Sequence, residues 1–205
     1  MLPKKLLVTG GAGFIGSNFV RHWLERHEDA AISVLDKLTY AGSVENLAEA
    51  GDDPRCTFVE GDICDREAVD GFMAEADAVV HFAAETHVDR SILAAGDFIR
   101  TDVFGTFVLL ESAREHGVDA FVHVSTDEVY GEVLEGSSKE TSPLMPRNPY
   151  SASKSGGDRM AYAYFATHGV PSIITRGANT YGPYQYPEKL VPFFVTRAVR
   201  DEPLP

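Results

Sequence analysis

Three glycines set directly behind a short apolar run restrict this chain more than any other feature. Leu6-Leu7-Val8 passes into Thr9-Gly10-Gly11-Ala12-Gly13-Phe14-Ile15-Gly16. A strand that ends in such a loop turns tightly, brings backbone N–H groups against a phosphate, and lays the next helix close on a sheet. Gly10, Gly13 and Gly16 answer those needs, and the following residues agree: Ile15, Phe19, Trp23 and Leu24 recur at helical spacing, while Arg21, Arg26 and His27 favour the helix's C-terminal half. A second apolar run, Ala31 to Leu35, ends at Asp36, about twenty residues beyond the last glycine. A carboxylate there accepts hydrogen bonds from a ribose 2′-hydroxyl, which selects NAD over NADP. The competing reading is an acidic residue that merely ends a strand.

The pattern then repeats. Cys56 to Glu60 reads as a third strand ending in Gly61-Asp62-Ile63, a helical stretch runs from Arg66 to Glu75, and Ala78 to Phe82 reads as a fourth strand. A long helix is expected from Asp97 to His116, closed by Gly117, with Val103, Phe107 and Leu110 on one face and Gly105 permitting close packing. Further strands are expected from Phe121 and over Val170 to Thr175, and a last helix reaches about Arg200. Strands alternating with helices imply an α/β fold, a doubly wound parallel-sheet Rossmann domain with ligands at the strands' C-terminal ends. The unusual residues fall at those ends: Gly10, Asp36, Asp62, Ala83-Ala84-Glu85-Thr86 and Thr126-Asp127-Glu128.

The fifth strand runs straight into Ser125-Thr126-Asp127-Glu128-Val129-Tyr130-Gly131, so hydroxyls and two adjacent carboxylates end it. Successive strand side chains point to opposite sides, and only a twist or turn lets both carboxylates reach one ligand. After a long polar loop, Asn148-Pro149-Tyr150-Ser151-Ala152-Ser153-Lys154 reads as a helix start, with Asn148 capping and Pro149 preset for the first turn. Tyr150 and Lys154 stand four apart on one helix face. A phenol titrates near 10, so an ammonium beside it is a means of making a tyrosine base. The helix runs to about His168, and its aromatic stripe of Tyr162, Tyr164 and Phe165 suits core or subunit interface. His87 reads as a hydrogen-bonded structural histidine at least as readily as a catalytic one.

With 31 acidic against 18 basic residues the formal charge is −13, which disfavours nucleic acid and anionic membrane as partners. Cys56 and Cys64 match no zinc or redox spacing, and no metal site is expected. The apolar run after Lys4-Lys5 is too short for a signal peptide, no stretch has the length of a membrane span, and a cytoplasmic protein is expected.

Together these residues resemble the extended short-chain dehydrogenase/reductase superfamily and, within it, the dTDP-glucose 4,6-dehydratases. The resemblance rests on the glycine loop, Ala83 to Ser91, Ser125 to Gly131, Tyr150 to Lys154, and Tyr181-Gly182-Pro183-Tyr184-Gln185 with Pro187-Glu188-Lys189-Leu190. The Tyr-xxx-Lys pair belongs to the whole superfamily. Asp127-Glu128 is narrower, since similar epimerases and decarboxylases typically lack it. The resemblance implies C4 oxidation of dTDP-glucose by NAD, elimination of water across C5 and C6, and return of hydride to C6. In that scheme Glu128 takes the C5 proton, Asp127 serves the C6 oxygen, Tyr150 accepts the C4 hydroxyl proton, Lys154 lowers the Tyr150 pKa, and Thr126 bonds the C4 oxygen. Phe14, Ile15, Asp36, Asp62, Ile63, Ala83, Ala84, Thr101 and Thr180, with the three glycines, would line NAD. Thr86, Asn179, Lys189 and Leu190 would meet the sugar nucleotide, Lys189 as the cation for its diphosphate.

Departures from the pattern are Asp102, where Asn is usual, and Gly177-Ala178, where Cys-Ser is common. The resemblance also leads to the expectation that residues 1–205 are an NAD-binding domain cut before a last strand and a smaller substrate domain, and that the protein is a homodimer. Readings that remain open are a UDP- or CDP-glucose 4,6-dehydratase, another sugar-nucleotide epimerase or decarboxylase, and a non-catalytic dinucleotide-sensing module.

Overall fold

The computed structural model describes residues 2–204. Six parallel strands form its sheet: β1 (Lys5–Thr9), β2 (Ala31–Asp36), β3 (Cys56–Glu60), β4 (Ala78–His81), β5 (Ala120–Thr126) and β6 (Ser172–Gly177). They lie in the order β3-β2-β1-β4-β5-β6. The direction of winding therefore reverses between β1 and β4, and a crevice opens there at the strands' C-terminal ends. Leu6 pairs with Ile32 on one side and Ala78 on the other, so β1 is the central strand of this arrangement.

Both faces of β1 are covered, as a doubly wound sheet requires. Leu6 and Val8 join Val20 and Leu24 of α1 (Phe14–Arg26) in one core layer. Leu7 points the other way, into a second layer with Leu109, Leu110 and Phe121. The expected apolar stripe of α1 differs in one respect. Ile15 is 45% exposed, while Gly16, Ser17, Val20 and Leu24 are the residues buried, and a Cβ at Gly16 would run into the Gly10 carbonyl oxygen.

A 3₁₀ turn over Val44–Leu47 and the short α2 (Ala48–Gly51) follow β2, and α3 (Arg66–Met73) follows β3. The helix expected from Asp97 is more divided than the sequence suggests. It is preceded by α4 (Val88–Leu93), begins as α5 (Ala95–Phe98), widens into a π-helical stretch over Ile99–Gly105, and continues as α6 (Thr106–His116), which Gly117 caps. A Cβ at Gly105 would sit 2.5 Å from Ile63 Cδ1, so the expected close packing is present and its partner is the β3–α3 connection. The remaining helices are α7 (Pro149–His168) and α8 (Leu190–Val199). Among the described residues, no helix is long and apolar enough to cross a membrane.

Gly10 holds the crevice open. Its φ is +71°, and an added Cβ would run into the backbone nitrogen of Ala83 after β4. Left-handed backbone costs an L-residue about 1–2 kcal/mol before any clash. Gly10→Ala is therefore expected to lose at least about 2 kcal/mol of stability, read as a lower urea midpoint; a midpoint within error of the parent would show that the two loops separate freely.

Candidate active site

The dinucleotide side of the crevice is built from the β1–α1 loop. Gly13 precedes α1 without a side-chain cap, and no acidic residue occupies the first turn, so the leading N–H groups face outward unclaimed by a side chain. This is the usual anion-binding end of a helix. Asp36 sits at the end of β2, its Oδ2 accepting the Ala12 N–H and its Oδ1 the Leu38 N–H, each at 2.9 Å. Burial raises its pKa and the two amides oppose that rise. The carboxylate thus shapes the glycine loop, with lone pairs left for a ribose hydroxyl. Asp62 accepts from the Cys64 amide at 2.9 Å and pairs with Lys37 at 2.7 Å. Burial works against its charge, but Lys37 and that amide hold its carboxyl below the ordinary range. Ile63 is buried against Gly105, Thr101 lies on the π-helical stretch, and Ala83 and Ala84 follow β4.

On the other side of β4 the two carboxylates appear as the sequence requires. β5 ends at Thr126, and the backbone turns at once into a 3₁₀ turn over Asp127–Tyr130, with the Thr126 hydroxyl accepting the Glu128 N–H at 3.2 Å. That turn is what the alternation of strand side chains demanded. Asp127 is exposed and Glu128 half-buried. Asn148 reaches Glu128 Oε2 through its Nδ2 at 3.3 Å, while its Oδ1 accepts the Ser151 N–H at 2.7 Å in a capping box that starts α7. One residue therefore ties the Glu128 carboxylate to the helix that carries Tyr150. The Asn-Pro signal shows the cap, but nothing in sequence shows the link to Glu128.

Lys154 is buried, and its Nζ donates to the Val124 carbonyl at 2.8 Å. Burial lowers its pKa, with Asp102 and Asp158 opposing. The Tyr150 phenol is not depressed as expected from the neighbouring ammonium. Burial pushes it above its ordinary value, and the negative charges of Glu128 and Asp102 add to the rise, with only the facing Thr126 hydroxyl pulling down. Tyrosine in this state is a phenol. His81 is fully buried between Thr9 Oγ1 at 2.7 Å and Thr106 Oγ1 at 3.0 Å, and burial together with Lys154 lowers its pKa to about 3. His87 caps α4, its Nδ1 accepting the Arg90 N–H at 3.4 Å, and so has the structural role.

Residues expected to meet a substrate divide into two sets. Lys189 donates to the Thr86 carbonyl at 3.1 Å, so these two come together at the mouth of the crevice. Asn179, Thr180 and Leu190 are exposed. A cluster that sequence reasoning missed closes the same mouth. Tyr40 donates to Glu188 at 3.1 Å, carries Arg90 over its ring at 3.6 Å, and meets Tyr186 edge-on. Behind β5, Arg176 of β6 bridges Asp158 at 2.8 Å and the Tyr130 hydroxyl at 2.8 Å, anchoring the turn that holds the carboxylates.

The chain matches the family described as GDP-mannose 4,6 dehydratase over residues 7–203. It is 59% identical over 196 residues to a dTDP-glucose 4,6-dehydratase of Streptomyces antibioticus, covering 93% of this chain and 58% of that protein. It is 55% identical to the low-salt glycan biosynthesis protein Agl12 of Haloferax volcanii, covering 98% of this chain and 64% of the relative. The chain thus spans less than two thirds of the curated relatives it matches. The crystal structure of DesIV, a dTDP-glucose 4,6-dehydratase from Streptomyces venezuelae with NAD and TYD bound, superposes with a TM-score of 0.95 at 54% identity, covering 98% of this chain and 64% of that one.

Asp102 gives the site a pH signature. Burial raises its carboxyl to about 6, against the pull of Lys154, Ser153 and the Glu85 amide, whereas the unfolded chain releases this proton near 4. Folding takes up a proton between those values, so Asp102's contribution to stability falls as pH rises from about 4 to about 6 and is level above. Asp102→Asn is expected to flatten that decline by an amount on the order of 3 kcal/mol, measured by urea unfolding at pH 4 to 8; parallel curves for the two proteins would place the Asp102 carboxyl at an ordinary pKa.

Proposed function

The chain belongs to the GDP-mannose 4,6 dehydratase family, and on that premise we propose that it is an NAD-dependent sugar-nucleotide 4,6-dehydratase acting on dTDP-glucose. The observation that carries the reading is that the charges of Glu128 and Asp127 and the Thr126 hydroxyl all bear on the Tyr150 phenol, four residues before buried Lys154. Oxidation alone needs a single base for a hydroxyl. Removing water from a 4-keto sugar needs a base for the C5 proton and an acid for the departing C6 hydroxyl. The UDP-glucose 4-epimerase structure of Thermus thermophilus aligns at only 34% identity, against 54% for DesIV.

The residues present suit a dinucleotide: an uncapped helix start after a glycine turn, and a strand-end carboxylate whose two oxygens are fixed by backbone amides. When bound, NAD supplies a hydride acceptor for C4, returns the hydride at C6, and carries a positive nicotinamide ring. Tyr150 takes the C4 hydroxyl proton, and Thr126 orients the oxygen. The raised pKa of Tyr150 makes this a transfer that needs positive charge nearby, and buried Lys154 stands one helical turn further along α7. Glu128, steadied by Asn148, removes the C5 proton that the 4-ketone has acidified. Asp127, exposed and beside the Thr126 hydroxyl, protonates the leaving C6 oxygen. Lys189, with Thr86, receives the diphosphate. Dinucleotide sensing has no need of the second carboxylate.

A second copy of the chain is proposed to cover the outer helices. Ile99 and Phe104 on the long helix and Tyr162 and Phe165 on α7 are 46–55% exposed, whereas Tyr164 of the same aromatic stripe is buried. The protein is expected to work in the cytoplasm.

Given dTDP-glucose deuterated at C4, the protein is expected to deliver deuterium to C6 with loss of one water, followed by NMR; inversion at C4 or decarboxylation of another substrate would sink the reading. Glu128→Gln is expected to form the 4-keto species while elimination slows at least about 100-fold, and normal turnover would remove Glu128 from its role. Phe165→Glu is expected to convert a dimer to a monomer in light scattering; a monomeric parent protein would refute the pairing.

A further inference from the structure

Asp102 stands where three elements converge and is 1% exposed. The π-helical stretch Ile99–Gly105 carries it. Widened turns of this kind re-aim a side chain and recur at functional positions. Its Oδ1 accepts the Glu85 N–H at 2.9 Å, from the loop after β4, and its Oδ2 accepts the Ser153 hydroxyl at 2.5 Å, from α7. Ser153 directly precedes Lys154 and also donates to the Tyr150 carbonyl at 2.8 Å. One turn before Asp102, buried Phe98 meets the Tyr150 ring edge-on at 6.4 Å. The same helix face therefore reaches the reactive turn of α7 twice, once through the Tyr150 ring and once through the Ser153 hydroxyl.

The surrounding charges make Asp102 more than a brace. Glu85 faces it from the loop, and Tyr150, Lys154 and Asp158 face the site from α7. Asp127 and Glu128 approach Tyr150 from the end of β5. His123 on β5 and His81 on β4 are both buried and held neutral, and Arg176 on β6 is spent on Asp158 and Tyr130. Asp102 and Asp158 are the carboxylates that support the buried ammonium, and Asp158 already answers Arg176.

Resting on the dehydratase reading, we propose that Asp102 is a positioning residue for the Tyr150–Lys154 pair, and that its negative charge sets the pH range in which the pair accepts a proton from the substrate hydroxyl. The ionised carboxylate favours the Lys154 ammonium and disfavours the Tyr150 phenolate. Removing that charge lowers both pKa values. Asn in its place retains an oxygen for the Glu85 amide and a polar group for Ser153, so the shape persists while the charge is lost.

The test compares the parent protein with Asp102→Asn. Six lysines are present, so ¹⁵Nζ-lysine NMR resolves Lys154, and this readout needs no turnover. Its titration midpoint is expected to fall by about one pH unit in the variant, a tenfold change in proton affinity. Single-turnover NADH formation from dTDP-glucose, followed at pH 5 to 9, is expected to keep a rising limb that moves to lower pH by a similar amount. A brace alone would scale the rate and leave both midpoints in place, and that result overturns the proposal. A moved lysine midpoint with an unmoved rate limb overturns the link to chemistry. A moved midpoint with no NADH formed from any sugar nucleotide by either protein upholds the electrostatic assignment and refutes the reaction. Ser153→Ala guards against misfolding of the first variant. It keeps the charge and removes a donor, so the Lys154 midpoint is expected to stay within error of the parent value, which supports the charge as the cause; a fall like that expected of Asp102→Asn would trace the effect to the hydrogen bond and overturn the proposal.

Discussion

A single buried cation organises this site. Taking an ammonium out of water is costly unless neighbouring groups replace the lost solvation. Lys154 has the Val124 carbonyl as its hydrogen-bond acceptor, with Asp102 and Asp158 supplying negative charge from either side. Those partners belong to β5, the π-helical stretch and α7 itself, so the register of α7 against the sheet is set by where Lys154 finds compensation. Tyr150 lies one turn earlier on the same face and inherits that register. Burial, with the charge of the cation added, keeps the two core histidines neutral, which lets His81 serve as a link between Thr9 and Thr106.

Around that fixed point the chain separates two tasks. The β1–α1 loop and the ends of β2 and β3 present backbone amides, Asp36 and Asp62 on one side of the crevice. The end of β5 presents Thr126, Asp127 and Glu128 on the other, on a turn held from above by Asn148 and from behind by the Arg176–Tyr130 contact. The two halves meet where Gly10 touches the backbone after β4, and no side chain fits between them. Rigid elements thus carry the groups whose geometry matters. The mouth is closed by Tyr40 and Glu188, which stand on loops, and by Arg90 of the short α4.

The six strands and the unusual residues at their ends were legible in the chain, since each rests on local pattern: glycine spacing, alternating apolar runs, a capping Asn before Pro149. The long helix was legible as a helix from Asp97, but not its π-helical widening, which stands where the helix packs on Ile63 and α7. Ile15 was read at helical spacing with Phe19, Trp23 and Leu24, and of these four only Leu24 is fully buried. The turn after Thr126 was anticipated from the alternation of strand side chains, and the Thr126 hydroxyl provides it.

What the sequence determined by itself is the set of chemical groups and the strand ends at which they stand, since both follow from residue type and period. What only the tertiary structure decided is the state of those groups. Tyr150 is held as a phenol, and burial lowers the pKa of Lys154 and raises that of Asp102, because burial and charge depend on partners far away in the chain. Asp102 and Ser153, 51 residues apart, touch through a hydrogen bond that no periodicity encodes. Proton affinity is a property of the assembled surroundings, and the surroundings exist only once the strands have been laid side by side.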